Sequence, residues 1–132
     1  GIAERLISDS LNYSIERKQF GQSIAEFQLI QGMLADSQTE TYAAQCMVAD
    51  TARRRDTGEN VATLAASCKL FATEMVGRVA DRAVQIHGGA GYIEDYGIER
   101  FYRDVRLFRI YEGTSQIQQT VIAKDMIRRA GL

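Results

Sequence analysis

The sequence contains no proline in its 132 residues. Helix interiors exclude proline because it lacks the backbone N–H donor, whereas all-β domains usually place some proline at turns and edge strands. Strict alternation of polar and apolar residues, which is typical of half-buried strands, is also missing. Both absences favour an all-helical domain.

Three further shortages narrow the class of function. The two cysteines, Cys46 and Cys68, and the one histidine, His87, form neither a zinc-ligand spacing nor a disulfide framework, so we expect no metal site and two core thiols. Sixteen Lys and Arg oppose seventeen Asp and Glu, a balance that gives no electrostatic reason for nucleic-acid or membrane binding. No apolar run approaches the roughly 20 residues of a membrane span, and no signal-peptide pattern opens the chain. We therefore do not expect a secreted protein.

Apolar residues instead recur at helical spacing in five segments. They predict helices over residues 2–16, 24–56, 60–87, 98–107 and 115–130, with Ser23 as a cap for the second. The stretch from His87 to Gly97 is predicted to be a loop. Long amphipathic helices with short connections predict an all-α, up-down bundle of about five helices, in which three or four long ones form one domain over residues 1–132.

The two longest predicted helices carry heptad-like seams. In the second helix the seam narrows midway to small residues, which would let a neighbouring helix approach closely. Its positions are Phe27, Ile30, Leu34, Ser37, Thr41, Ala44 and Val48. Those of the third helix are Val61, Leu64, Cys68, Phe71, Met75 and Val79.

A carboxylate, Glu112, stands between an aromatic residue and a glycine immediately before the last predicted helix. Ser115 fits a capping box in which its hydroxyl accepts from the backbone of Gln118 and the Gln118 side chain reaches back. Glu112 then lies just outside a helix N-terminus, where free N–H groups favour negative charge. An acidic residue before a cap is common, so the local pattern leaves both an ordinary loop residue and a catalytic base open.

Two other stretches allow either a binding or a structural role. The glycine cluster from His87 to Gly91 can approach a phosphate or simply end a helix; it is not a dinucleotide fingerprint, because Glu94 occupies the last glycine position and a helix precedes it. The basic and aromatic stretch from Arg17 to Gly21 fits ordinary helix C-capping. His87 has no nucleophile or ligand cluster beside it in sequence, which favours a structural histidine.

Together and in this order, five motifs resemble the C-terminal helical domain of the acyl-CoA dehydrogenases over essentially the whole chain. The motifs are "ERKQFG" (16–21), "FQ" (27–28), "QIHGGAGY" (85–92), "RFYRDVR" (100–106) and "IYEGTSQIQ" (110–118). The resemblance implies an FAD-dependent enzyme that oxidises acyl-CoA thioesters to trans-2-enoyl-CoA.

The same resemblance implies roles for individual residues. Glu112 takes the position of the base that removes the α-proton, and its backbone N–H holds the thioester carbonyl together with a flavin ribityl hydroxyl. Tyr111 and Gly113 face the substrate. Contacts to FAD are implied for Arg17, Gln19 and Phe20 from a neighbouring subunit, for Phe27 and Gln28, for Gln85, Ile86, Gly88 and Gly89 along the adenosine, and for Thr114 and Gln116 beside the flavin.

The resemblance also implies partners. Its members form dimers and tetramers through this domain, and an electron-transfer flavoprotein is the expected electron acceptor. Because the chain opens at Gly1 inside a helical pattern, we expect a fragment that lacks the N-terminal helical and middle β domains and is inactive alone. Bacterial cytoplasm and mitochondrial matrix both fit. The alternatives are an acyl-CoA oxidase domain and a non-enzymatic helical oligomerisation module.

Overall fold

The computed structural model describes all 132 residues and confirms the predicted all-helical bundle. It contains six α-helices, one two-stranded hairpin and two 3₁₀ turns, at Ile24–Glu26 and Glu94–Tyr96. The helices are α1 (Ile2–Glu16), α2 (Gln28–Asp56), α3 (Ala62–His87), α4 (Gly89–Tyr92), α5 (Ile98–Leu107) and α6 (Ser115–Arg129). The antiparallel strands β1 (Lys18–Gln19) and β2 (Gln22–Ser23) follow α1.

Helix α3 is the centre of the bundle, because it packs against all five other helices. Its apolar side chains therefore meet neighbours on several sides and form most of the core. The buried apolar cluster consists of Met75, Val76, Val79, Ala80 and Ala83 from α3, Ala3 and Leu6 from α1, Ala44 from α2, and Ile98 and Val105 from α5. A segment that is bonded to either end of this helix is therefore held on a rigid, well-packed element.

Small residues bring the first three helices close together, as the narrowing seam predicted. Ser37, Thr41 and Ala44 of α2 are all buried. Val48 is 51% exposed and Leu64 is 36% exposed, so these two seam positions are not buried in the core. The reason is length: α1 has 15 residues and α2 has 29, so the far turns of α2 and the first turns of α3 extend past the end of α1.

The second helix begins later than predicted, at Gln28 instead of residue 24. Ser23 does act as a cap, since its Oγ accepts from the backbone N–H of Ala25 (3.3 Å) at the start of a 3₁₀ turn. The same hydroxyl donates a hydrogen bond to the carbonyl oxygen of Ser14 (2.7 Å) near the end of α1. This bond fastens the returning strand of the hairpin to the end of α1. Phe27 then takes an extended conformation, and α2 begins one turn later than predicted.

The stretch predicted as a loop, from His87 to Gly97, contains the short helix α4 and a 3₁₀ turn, so that prediction is wrong in part. Gly91 allows the tight return, because a Cβ there would lie 2.8 Å from the Cβ of His87 and 2.8 Å from the carbonyl oxygen of Val84. The His87 ring is buried, with Nδ1 2.8 Å from the Ala83 carbonyl and its face stacked on Tyr13 at 4.3 Å. His87 is therefore a structural residue, as predicted.

The cysteines differ from the expected pair of core thiols. Cys46 is exposed, which corrects the prediction, and Cys68 is partly buried with Sγ 3.1 Å from the hydroxyl of Thr51. Both are free. The structure holds no group of three His, Cys, Asp or Glu side chains placed to bind a metal, and none of its helices is both long and apolar enough to cross a membrane.

Candidate active site

The segment 108–114, which joins α5 to α6, carries Glu112 in an unusual backbone conformation. Glu112 has φ +53° and Gly113 has φ +87°, so two consecutive residues are left-handed. For a residue with a Cβ this conformation costs roughly 1–2 kcal/mol, and it persists only where neighbouring contacts hold the chain. The fold therefore keeps Glu112 in a sharp turn that local preference opposes.

The helix behind this turn is capped one residue earlier than predicted. Thr114 is the N-cap, since its Oγ1 accepts from the backbone N–H of Ile117 (3.3 Å). Ser115 is instead buried and donates from Oγ to Oε1 of Glu74 (2.6 Å). The capping-box prediction for Ser115 is therefore wrong, because a carboxylate on α3 offers its hydroxyl a charged acceptor that the local sequence does not reveal.

The Gln118 side chain reaches back as predicted, but to different atoms. Its Nε2 donates to the carbonyl oxygens of Glu112 (3.3 Å) and Gly113 (3.4 Å). It thus bonds to the turn itself and not to the N–H of Ser115. The first turn of α6 is tied to both left-handed residues.

Helix α3 fastens the segment from the other side through Lys69. Its Nζ donates to the carbonyl oxygens of Phe108 (2.8 Å) and Gly113 (2.6 Å), which lie on either side of Glu112. The ammonium is partly buried, and charge-assisted bonds of this length are stronger than neutral ones. The two ends of the turn thus converge on one nitrogen.

A second anchor on α3 involves Glu74, whose Oε2 lies 3.3 Å from Nε of Arg109 in an ion pair that is not aligned as a hydrogen bond. The Arg109 guanidinium lies over Gly77, where a Cβ would come within 2 Å of it. Sequence reasoning missed Lys69, Glu74 and Arg109. The one signal was Gly77, since a mid-helix glycine costs about 1 kcal/mol relative to alanine and so indicates a close approach.

The Glu112 side chain itself is exposed and makes no hydrogen bond or ion pair within the chain. Its backbone N–H also donates to no backbone acceptor, although the neighbouring Tyr111 N–H bonds to the carbonyl of Leu107. Tyr111 stacks on Phe108 with ring centroids 5.8 Å apart. The turn therefore presents a carboxylate and an N–H donor, both free, beside an aromatic surface.

The predicted contacts near the hairpin form a second, separate group. Arg17, Gln19, Phe20 and Gln28 are exposed, and Phe20 is 94% exposed with φ +54° at the hairpin turn. The ring of Phe20 meets that of Phe27 edge to face at 6.2 Å. The structure thus brings these five predicted residues together.

The predicted residues at the end of α3 lie near this hairpin, because the Tyr13 that stacks on His87 is one turn before Arg17. Gln85, Gly88 and Gly89 are exposed, and a Cβ at either glycine would meet nothing within 4 Å. Ile86 is only 4% exposed, so the whole residue is packed inside the bundle and offers a ligand almost no surface of its own.

Within one chain, the predicted site residues therefore fall into two regions. Lys69, beneath the Glu112 turn, and His87, at the hairpin end, are separated by 18 residues of one helix, or about 27 Å. Thr114 and Gln116 accompany Glu112 in the first region. The hairpin and the end of α3 form the second.

The exposed groups of these regions suit a dinucleotide cofactor. A guanidinium (Arg17), several primary amides (Gln19, Gln28, Gln85 and Gln116) and two glycines with open space beside them offer donors and close approach. None of these side chains makes a hydrogen bond within the chain. A guanidinium recognises phosphate oxygens well, and amides match the polar edge of a flavin. The residues present therefore fit FAD.

Comparison with known proteins defines the class. Residues 1–127 match the family described as acyl-CoA dehydrogenase, C-terminal domain, and the chain belongs to that family of flavin-dependent oxidoreductases.

Relatives and solved structures agree with this assignment. The chain is 44% identical over 129 residues to the caffeyl-CoA reductase–Etf complex subunit CarC of Acetobacterium woodii, covering 98% of this chain and 34% of CarC. The structure of butyryl-CoA dehydrogenase from Megasphaera elsdenii superposes with a TM-score of 0.93 at 38% identity, over 96% of this chain and 33% of that one. The FAD complex of PigA gives 0.92 at 28% identity, with coverages of 96% and 33%. The chain thus spans about a third of the length of the relatives it matches.

Proposed function

We propose that this chain is the C-terminal domain of a flavoenzyme that converts an acyl-CoA thioester to its trans-2-enoyl-CoA, with Glu112 as the base. The observation that carries the proposal is a free carboxylate held in a left-handed turn by side chains of α3. A turn that is costly for glutamate and is nevertheless fastened so closely is typical of a functional position.

The proposed reaction begins with the α-carbon of the thioester. The Glu112 carboxylate takes the α-proton and becomes a carboxylic acid, while the electron pair moves toward the thioester carbonyl oxygen. The free N–H of Glu112 can donate to that oxygen as negative charge develops on it. When bound, FAD supplies the acceptor for the β-hydride.

The remaining proposed contacts follow the two regions of the structure. Tyr111 and Gly113 line the substrate side of the turn, and Thr114 and Gln116 lie next to the flavin. The hairpin group and the exposed residues at the end of α3 bind the rest of the FAD, with Arg17 toward the pyrophosphate and the buried Ile86 supporting this end of the helix from inside the bundle. Because both regions are open in a single chain, which spans about a third of the length of its relatives, we infer that further domains and a second subunit complete the pockets.

A second direction of the same chemistry is favoured by one relative, which is named as a reductase in a complex with Etf. In that direction Glu112 in its acid form would return a proton to the α-carbon. An electron-transfer flavoprotein is the proposed redox partner in either direction. An oxidase would instead pass electrons directly to oxygen, and a non-enzymatic module would not need the free carboxylate.

The test is Glu112→Gln in the complete polypeptide loaded with FAD. We expect anaerobic flavin reduction by a saturating acyl-CoA to slow by about 10²–10⁴-fold, because an amide cannot accept the proton. Glu59→Gln, at an exposed carboxylate after α2, is the matched control and should leave the rate unchanged. A Glu112→Gln rate within a few-fold of wild type would remove Glu112 as the base, and a polypeptide that cannot take up FAD would remove the enzyme assignment altogether.

A further inference from the structure

Lys69 occupies a position in α3 that the proposed chemistry does not yet use. Its side chain is partly buried, and its Nζ reaches residues that lie 39 and 44 positions further along the chain. Both hydrogen bonds of this ammonium go to backbone carbonyl oxygens, those of Phe108 and Gly113. Those two carbonyls belong to the turn that carries Glu112.

We propose that Lys69 is a positioning residue for Glu112, fixing the direction of its carboxylate and its backbone N–H by holding Phe108 and Gly113 on one ammonium. This inference rests on the proposed function, in which Glu112 is the base. It assigns to Lys69 no contact with substrate or cofactor.

The geometry explains why one side chain has this effect. Phe108 and Gly113 enclose the segment that contains Glu112, so fixing both carbonyl oxygens at 2.8 and 2.6 Å from the same nitrogen closes the segment into a ring. Within a closed ring the φ and ψ angles of the enclosed residues cannot change independently. The left-handed φ of Glu112 is one of the angles that this closure restrains, together with the backbone hydrogen bond from the N–H of Ser115 to the carbonyl of Arg109 (3.1 Å).

The other contacts to the turn do not replace this one. Gln118 donates to the Glu112 and Gly113 carbonyls at 3.3 and 3.4 Å, which are long, neutral hydrogen bonds. Glu74 holds Arg109 and Ser115 and makes no bond to either of the two carbonyls that Lys69 binds. Without the ammonium, both carbonyls would lose a charged partner and the turn would relax toward right-handed angles.

The experiment is Lys69→Met in the complete, FAD-loaded enzyme, which keeps the length of the side chain and removes its donors. We expect flavin reduction at saturating acyl-CoA to slow by about 10–100-fold, because a base displaced by about 1 Å loses a factor of this size. The dissociation constant of acyl-CoA should stay within about three-fold, since its binding does not need the base to be aimed. The isotope effect for α-deuterated substrate should rise, because proton removal becomes the slower step.

Two variants and one physical measurement separate positioning from simple stabilisation. Lys69→Arg keeps a cation and donors and should recover most of the rate, whereas Lys124→Met, at an exposed lysine of α6, should match wild type. In Lys69→Met the amides of Tyr111 and Ser115 should exchange with deuterium at least about ten-fold faster, because their hydrogen bonds close the same turn, while those of the α3 core stay unchanged. Equal loss of protection throughout α3 would overturn the proposal.

A double variant distinguishes failure of this inference from failure of the proposed function. In a Glu112→Gln background, Lys69→Met should add little, because the group that it positions is already absent. An additional full loss of rate in that background would show that Lys69 acts elsewhere. Suppose that Glu112→Gln slows flavin reduction strongly, whereas Lys69→Met changes neither the rate, the isotope effect nor the amide exchange. This result would disprove the role of Lys69 and leave Glu112 as the proposed base. If Lys69→Met does not fold, Lys69→Gln undergoes the same measurements with the same expectations.

Discussion

The hydroxyl of Ser115 lies 2.6 Å from Oε1 of Glu74, a hydrogen bond that joins the first residue of α6 to the middle of α3. The serine is 5% exposed, so its replacement by alanine leaves the carboxylate with only Arg109 as a partner. We expect Ser115→Ala to lower the free energy of unfolding by about 1–2 kcal/mol. Urea denaturation measures this change, with Ser8→Ala on the exposed face of α1 as the control; equal stabilities of the two variants would contradict it.

Gly91 should not tolerate alanine. A Cβ there would lie 2.8 Å from the Val84 carbonyl oxygen, which is backbone and cannot rotate away. We expect Gly91→Ala to destabilise the fold by about 1–3 kcal/mol through overpacking. Gly89→Ala is the matched control, since a Cβ at Gly89 meets nothing within 4 Å, and it should be neutral or slightly stabilising in flavin-free protein. Similar melting temperatures for the two variants would disprove the packing argument.

Gly113 and Gly58 allow a comparison in which backbone strain is equal. Both have φ +87°, so alanine at either position costs roughly 1–2 kcal/mol for the left-handed conformation. Only at Gly113 would the new Cβ also displace a neighbour, because it would lie 2.6 Å from Nε2 of Gln118. We expect Gly113→Ala to be the more destabilising of the two by about 0.5–1.5 kcal/mol, the value of the lost hydrogen bonds. Equal losses in urea denaturation would show that Gln118 does not hold the turn.

Glu40 should make stability depend on pH in the acidic range. Partial burial raises the pKa of Glu40, but hydrogen bonds from Arg82 and Arg78, at 2.9 Å each, outweigh that effect and hold the pKa below its ordinary 4.5. Because the pKa of Glu40 is lower in the folded state, its ionised carboxylate stabilises the fold at any pH above the pKa that it has in the unfolded chain. This stabilisation disappears as the pH falls through the pKa of the folded state. Glu40→Gln should therefore melt below wild type at about pH 7 and approach it under about pH 4.

The control for that titration is Glu26→Gln, at an exposed carboxylate that makes no ion pair. It should follow the wild-type melting curve at every pH. A difference between wild type and Glu40→Gln that stays constant from about pH 7 to pH 3 would rule out the linkage.

The chain should associate with copies of itself. Helix α6 packs mainly against α3, and four of its apolar side chains remain 40–64% exposed: Ile117, Val121, Met126 and Ile127. Burial of this apolar surface at about 25 cal/mol per Å² favours association. We expect sedimentation equilibrium to give a multiple of 14.7 kDa and Ile127→Lys to weaken the assembly. A monomer at high protein concentration would contradict this expectation.

The periodicity of apolar residues predicted the bundle well, because each long helix carries its own apolar face. That face can be recognised in the sequence even when the helix against which it packs is not known. The Glu112 turn was accessible to prediction through its motif. The side chains of α3 that hold this turn could not be predicted. A lysine or glutamate that bonds to a segment about 40 residues away is indistinguishable in sequence from a solvated surface residue. The cap moved from Ser115 to Thr114 for the same reason: two adjacent hydroxyls are locally equivalent, and a carboxylate on α3 decides between them.

Helix α3 runs without interruption from Ala62 to His87, with the Glu112 turn fastened near one end and the glycine cluster after the other. One residue inserted between Lys69 and His87 would turn the two ends by about 100° relative to each other as well as moving them apart. The proposed contact regions would then face different directions, although each would keep its own sequence. Under the proposed function, a change in the length of this stretch therefore requires a matching change in the surfaces that face its two ends.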